Sequence, residues 1–355
     1  MRARGWIVGA VALLAGLAVL AAGLELAGYD AGAALGALWA GAFGSWYALT
    51  SATLVRAIPL IIIGLGLALS FRAGAFNIGA EGQFYAGAIA ATWLGLHVGT
   101  LPSPLAIAVV LSGAFVAGAL WVAVPVLLRA RYGVLEVIST LLLNFVAEAT
   151  TSLMVQGPLQ ERSGIYPQSD AIAESARLPL SSGTRLHAGI VLALAGAVVL
   201  HHLFARTVWG FRLRAVGLGP RAAEISGRID SRRVAAIALA LSGAIAGLAG
   251  GVEVSGVSYA LFQNLSPGYG FTAIAVALLG RLHPFGVVLA GVLFGALEAG
   301  AGAMQREAGV PAVAVYVVEA VVMLVVLLAE SARRGGAGAL GAIGSAAGAA
   351  GGSRA

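Results

Sequence analysis

The chain has 355 residues, of which 60% are hydrophobic and 10% charged, with a mean hydropathy of +0.95; a soluble globular domain carries roughly 25% charged residues. All 21 basic residues are arginine against 15 acidic ones, and there is no cysteine. This composition excludes a soluble domain, a disulfide framework, thiol catalysis and a cysteine-ligated metal. Without lysine there is no GxxxxGK[ST] phosphate loop either. The basic excess reads as a record of membrane orientation and not as a nucleic-acid footprint, because no binding motif accompanies it.

Crossing a hydrocarbon core about 30 Å thick takes roughly 20 apolar residues in helix. Runs of that kind predict an all-α polytopic membrane protein of about ten segments: 6–24, 51–70, 77–95, 104–128, 134–155, 187–205, 234–254, 271–281, 284–303 and 312–331. The first follows Arg2 and Arg4 and is long enough for a retained helix, where a signal peptide has a shorter apolar stretch. The eighth is too short to cross alone. A cytoplasmic N-terminus leaves most arginines inside, including all seven of the loop 206–233, so both termini are expected inside. Longer outer loops are then expected at about 25–50 and 156–186, as contact surfaces for something arriving from outside. Residues 1–331 form one transmembrane domain on this reading. The tail 332–355, rich in Gly, Ala and Ser, lacks the bulky apolar surface that would offset ordering entropy and is expected to be disordered.

Polar residues inside apolar runs are costly and face a partner or a cavity. SFRAGAFNIGAEGQ places Asn77, Glu81 and Gln83 among glycines that let a helix break, which lipid tolerates only where the break lines protein or water. A capped cytoplasmic turn is the competing reading. In 136–155, positions 137, 140, 144 and 148 step by three or four, so Thr140, Asn144 and Glu148 form a stripe. That stripe suits either a polar solute or interhelical hydrogen bonding. The short run after the polar Gln263 and Asn264 pairs with the Gly-interrupted element near Asn77, pointing to broken helices in an inverted internal repeat. His283, beside a proline, reads as a turn residue. Glycines at helical spacing (Gly243, Gly247 and Gly251; Gly291 and Gly295) read as close helix packing.

The loop RTVWGFRLRAVGLGPRAAEISGRIDSRR, 206–233, is the longest charged island. Its alternation over 211–216 predicts a short extended piece. Pro220 at a first turn and Gly227 past the end predict a two-turn helix between them. Such a helix rests on anionic lipid or inserts into a groove on a cytoplasmic partner.

Three blocks, FRAGAFNIGAEGQ (71–83), EVISTLLLNFVA (136–147), and RAVGLGPRAAEISG (214–227) with FTAIAVALLGRLHPFG (271–286), resemble the permease subunits of bacterial ABC importers in the branched-chain amino acid, ribose and nucleoside group. The similarity covers about residues 50–331 and is nearest the simple sugar and nucleoside branch. The resemblance implies an inner-membrane permease without its own ATPase site. It implies two ATPase subunits or one fused double ATPase holding the ATP and Mg, a second homologous permease forming a heterodimer, and an external substrate-binding lipoprotein. It makes Pro220–Ser226 a coupling helix supported by Arg212, Arg214, Gly219, Pro220, Arg221, Glu224, Ile225 and Gly227. Asn77, Glu81, Gln83, Thr140, Asn144 and Glu148 become candidates for the path of a nucleoside or sugar. The rival readings are an ion-coupled carrier using Glu253, Glu298 and Glu319, and an intramembrane enzyme, for which no paired catalytic constellation appears.

Overall fold

A computed structural model of the protein describes residues 18–227 and 229–311, with positions 16, 316, 317 and 320. The N-terminal arginines, most of the expected tenth span and the 332–355 tail lie outside the described residues. Two compact units are distinguished, one running from Ala42 to Ala299 and one combining residues up to Gly41 with those from Gly300 onward.

The described residues are helical, and their only β pairing consists of the isolated bridges Gln168–Phe262 and Leu180–His187. Helix α1 covers 18–26. It is followed by α2 (Ala31–Phe43), a π-helical turn (Ala48–Thr53) continuing into α3 (Leu54–Arg72), α4 (Ala80–His97), α5 (Ser103–Tyr132) and α6 (Glu136–Val155). After a 3-10 turn at Glu174–Ala176 come α7 (Gly189–Arg206), α8 (Val208–Leu218) and α9 (Pro220–Gly227). The chain continues with α10 (Ser231–Glu253), its π-helical extension Val254–Ser258, α11 (Tyr269–Leu279) and α12 (Pro284–Ala308).

Among the described residues, six helices are long and apolar enough to span: Ala48–Arg72, Ser103–Tyr132, Glu136–Val155, Gly189–Arg206, Ser231–Ser258 and Pro284–Ala308. Of the other expected spans, α4 is helical, but Glu81, Gln83 and Thr92 make it more polar, and it is buried among its neighbours. Helix α11 has 11 residues, about 16 Å at 1.5 Å per residue, half of a bilayer core.

Two local expectations are corrected. The expected outer loop 25–50 contains α2, started by Asp30, whose Oδ1 accepts from Ala33 N at 2.8 Å. The expected extended piece at 211–216 lies in α8: Thr207 caps it, accepting from Gly210 N at 3.1 Å. The buried positions Gly210, Leu213 and Val216 follow the helical period and not the alternation.

In lipid, apolar side chains gain little by leaving one apolar medium for another, so packing distance decides association. The core of the Ala42–Ala299 unit shows this where α4, α5 and α10 meet. A Cβ on Gly118 would stand 2.2 Å from the Gly243 carbonyl oxygen, one on Gly87 2.0 Å from that of Gly247, and one on Gly250 2.0 Å from that of Phe84. Gly251 faces Ala114 of α5, while on α12 Gly291 meets Ile61 and Gly295 meets the Thr53 carbonyl. The glycine rows thus mark close helix packing, backbone against backbone at Gly247 and Gly295 and backbone against side chain at Gly243, Gly251 and Gly291.

Candidate functional site

The Gly-rich segment 73–79 is non-helical and separates α3 from α4. Asn77 is fully buried, donating from Nδ2 to Gln83 Oε1 at 2.7 Å and to Ser242 Oγ at 3.0 Å, while its Oδ1 accepts from Gln83 Nε2 and Gly79 N, both at 3.0 Å. Helix α6 lies against the same break. Asn144 Oδ1 accepts from Gly82 N at 2.8 Å and its Nδ2 donates to the Ile78 carbonyl at 3.0 Å, while Thr140 Oγ1 accepts from Ile78 N at 3.3 Å and donates to the Glu136 carbonyl at 2.6 Å. These bonds satisfy backbone groups that the break frees, which matters where no water can do so. Glu81 Oε2 accepts from Gly270 N at 2.6 Å, tying α4 to the start of α11.

Five of the six expected pathway residues, Asn77, Glu81, Gln83, Thr140 and Asn144, are therefore brought together around the break. Each is buried and hydrogen-bonded within the protein. Glu148 stands apart. It lies at the edge of the buried α6 face formed by Glu136, Ser139, Thr140, Asn144, Ala147, Thr151 and Val155, whereas Val137, taken as part of the stripe, is exposed.

Glu148 lines an open cleft of about 200 Å³ with Tyr85, Thr151, Ser152, Gln263 and Asn264. Gln263 Nε2 donates to Ser152 Oγ at 2.7 Å and Tyr85 Oη accepts from Ser266 N at 3.2 Å. Among the described residues, no arginine or histidine lines the cleft. Extending the α6 stripe by three residues from Glu148 would have found Thr151. Tyr85 and Ser152 carry no sequence signal, because only tertiary packing brings α4, α6 and the 259–268 segment together.

The segment 156–188 is strapped to the 255–262 stretch. Ser169 N donates to the Leu261 carbonyl, Ile172 N to that of Tyr259 and Leu178 N to that of Ser255, each at 2.8 Å, and Ala173 N donates to the Gly95 carbonyl at 3.0 Å. Arg177 lies over the Tyr259 ring at 4.9 Å. Glu161 accepts from Ser163, from Gln168 Nε2 and from Tyr166 N, which hold its carboxyl below the usual carboxylate range. His187 is buried against Gly189 and Gly256, and burial lowers its pKa to about 4.

Arg72 ends α3 with its guanidinium 4.1 Å over the Phe204 ring, and Gly217 of α8 abuts the Arg72 carbonyl. Helix α9 projects from this region with Arg221, Glu224 and Ile225 exposed and Ala223 turned inward. Ile225 is 85% and Leu218 91% exposed; Glu224 accepts from Ser231 Oγ. Arg212, Arg214 and Pro220 are exposed and Gly219 half-buried at the hinge between α8 and α9. Gly227 closes α9. Among the described residues, no three His, Asp or Glu side chains gather as a metal site.

Residues 49–327 match the family described as branched-chain amino acid transport system, permease component. The chain is 38% identical over 323 residues to the glucose ABC transporter permease protein TsgB13 of Haloferax volcanii, covering 88% of this chain and 84% of that one. It is 37% identical over 322 residues to the guanosine ABC transporter permease protein NupP of Bacillus subtilis, covering 90% and 92% respectively. It is also 30% identical over 258 residues to NupQ of the same organism, likewise described as a guanosine ABC transporter permease, covering 69% and 78%.

Proposed function

The chain belongs to the family of branched-chain amino acid transport permease components, and on that premise we propose that it carries a neutral nucleoside or simple sugar across the membrane. It is the membrane-spanning permease subunit of an ABC importer. The observation that carries the choice of solute is the cleft of Tyr85, Glu148, Thr151, Ser152, Gln263 and Asn264. It is polar, lies in an otherwise apolar bundle and has no cation in its lining. Such a lining suits an uncharged solute rich in hydroxyl or amide groups. The guanosine and glucose permeases among its relatives support the same class.

In this reading Asn77, Gln83, Thr140 and Asn144 hold the helix break in shape, Glu81 ties it to α11, and Glu148 meets the solute. ATP and Mg reside on two partner ATPase subunits or one fused double ATPase, and α9 is the element that enters them. Its exposed Ile225 supports this, since an isolated apolar side chain on a short polar helix gains by burial in a partner. A second homologous permease completes a heterodimer, as suggested by two similar permeases described for one solute in Bacillus subtilis. The solute arrives on an external binding lipoprotein that docks on the outer side, where the strapped 156–188 segment lies. The termini are inside the cell. The Gly-interrupted element before α4 and the short α11 belong to an inverted repeat.

The test is uptake and ATP hydrolysis by the complex reconstituted in liposomes with guanosine and with glucose. Solute-stimulated ATPase activity is expected, and it disappears when Pro220–Ser226 is replaced by a flexible linker. Gradient-driven, vanadate-insensitive uptake by this chain alone overturns the assignment in favour of an ion-coupled carrier.

A further inference from the structure

We infer that the Glu148 cleft is a recognition site for a vicinal diol, with the two oxygens of the Glu148 carboxylate accepting from the two adjacent hydroxyls. This rests on the solute class proposed above and adds the chemistry by which this chain selects within it.

The inference comes from unused hydrogen-bonding capacity. Among the described residues every other polar side chain singled out near the α3–α4 break is engaged: Asn77 with Gln83 and Ser242, Asn144 with Gly82 and Ile78, Thr140 with Glu136 and Ile78, Glu81 with Gly270. Among the described residues Glu148 makes no hydrogen bond and no ion pair, yet it lines the cleft. An ionised carboxylate only accepts hydrogen bonds, through two oxygens held in one plane. Its natural complement is therefore a pair of donors on adjacent atoms.

The remaining lining completes the complement. Ser152 Oγ already accepts from Gln263 Nε2 and from Gln156 Nε2, both at 2.7 Å, which leaves the Gln263 carbonyl oxygen open as a further acceptor. Tyr85 Oη accepts from Ser266 N, so its own O–H is free to donate. The Asn264 amide, on a residue held at φ 57°, makes no hydrogen bond among the described residues. The cleft thus offers paired acceptors at one point and donors around it, matching a ring that carries adjacent hydroxyls and ring or carbonyl oxygens.

Other occupants fit less well. A metal ion lacks ligands, since among the described residues no three acidic or imidazole groups converge. A phosphorylated or carboxylate solute would bring a second negative charge beside Glu148 with no cation in the lining to balance it. A volume of about 200 Å³ lies below the 300–1,000 Å³ of an enclosing ligand pocket, which suits one sugar ring and not a whole larger ligand.

The vicinal diol is shared by ribonucleosides and hexoses, so the experiment has two arms. The complete complex, with its ATPases, second permease and binding protein, is reconstituted in liposomes. Its ATPase KM is measured for guanosine against 2′-deoxyguanosine, and for glucose against 2,4-dideoxyglucose, neither analogue keeping two adjacent hydroxyls. The binding protein's own preference within each pair, measured by calorimetry, is divided out. In the wild type the diol member of one pair is favoured, and Glu148→Gln reduces that preference about tenfold, the loss expected when one partner of a charge-assisted hydrogen bond becomes neutral. The unfolding midpoint stays unchanged. Glu148→Asp, which keeps the charge but retracts it, loses the preference as well, so a folding defect in one variant leaves the other to decide. The pair that responds identifies the source of the diol. A wild-type complex that turns over solute while Glu148→Gln and Glu148→Asp keep the full preference overturns the diol inference alone. A wild-type complex stimulated by neither pair overturns the proposed solute class together with it.

Discussion

Asn77 and Gln83 exchange two hydrogen bonds, Nδ2 to Oε1 at 2.7 Å and Nε2 to Oδ1 at 3.0 Å, across the point where the helix breaks before α4. The pair is completely buried. A buried amide of this kind costs free energy when its partner is removed, because the survivor stays desolvated. The break therefore depends on side chains that lie on three different helices: Gln83 on α4, Asn144 on α6 and Ser242 on α10.

Replacing Asn144 by Leu strips the Gly82 N–H and the Ile78 carbonyl of their partners at once. The expected loss is about 2–4 kcal/mol of stability, read as a lowered midpoint of thermal unfolding in detergent. An unchanged midpoint would remove Asn144 from its scaffolding role.

The glycine contact of α5 with α10 leaves no room for a side chain. Gly118→Val, with the first added carbon 2.2 Å from a carbonyl oxygen, is expected to abolish recovery of a monodisperse protein. Overpacking costs about 1–3 kcal/mol where neighbours can move, and a backbone atom yields less than a side chain. Gly36→Ala in α2 is the control: an added Cβ there meets nothing within 4 Å, and it should be neutral or slightly stabilising.

Acid should loosen the strap formed by 156–188 through His187. Its folded pKa is depressed to about 4 by burial, whereas the unfolded segment takes up its proton near pH 6.5. Below about pH 6.5 the opened form binds a proton that the closed form refuses, so closure weakens as pH falls from about 6.5 towards 4. Protection factors for amide exchange across 168–188, which divide out the intrinsic pH dependence of exchange, should fall from pH 7.5 to pH 5, and His187→Gln should flatten that fall. Equal protection factors at the two pH values would contradict the burial argument.

Ile225 offers a graded test of the coupling helix. Truncation to Ala removes an apolar side chain worth about 1.5–3 kcal/mol when fully buried. The expected result is a tenfold or greater weakening of ATPase-subunit association, with the permease itself equally stable because the side chain is exposed in the isolated chain. Undiminished association would place the docking surface elsewhere.

Much of the fold is legible in the sequence because its signals are local. Pro220 and Gly227 bracket α9, since proline suits a first turn and the chain breaks readily at glycine. The apolar runs locate six spanning helices, and the short run after Asn264 corresponds to the half-length α11. Local signals also mislead. The alternation over 211–216 suggests an extended strand, yet Thr207 caps a helix there and Gly210, Leu213 and Val216 turn to the interior. A helix of 13 residues likewise occupies the expected outer loop before position 50.

Sequence by itself determined that this chain is a membrane-embedded helical protein, that the helical pattern is interrupted at the glycines around Asn77, and which polar side chains interrupt its apolar runs. It could not rank those side chains. Asn77 meets Ser242 across 165 positions and Asn144 meets Gly82 across 62, and such pairings follow from packing and not from spacing. Only the tertiary structure decided that Asn77, Gln83, Thr140 and Asn144 satisfy the protein's own backbone and one another while Glu148 stays open to the cleft. The physical reason is that a hydrogen bond needs two groups within about 3 Å, and only the folded chain brings those groups together.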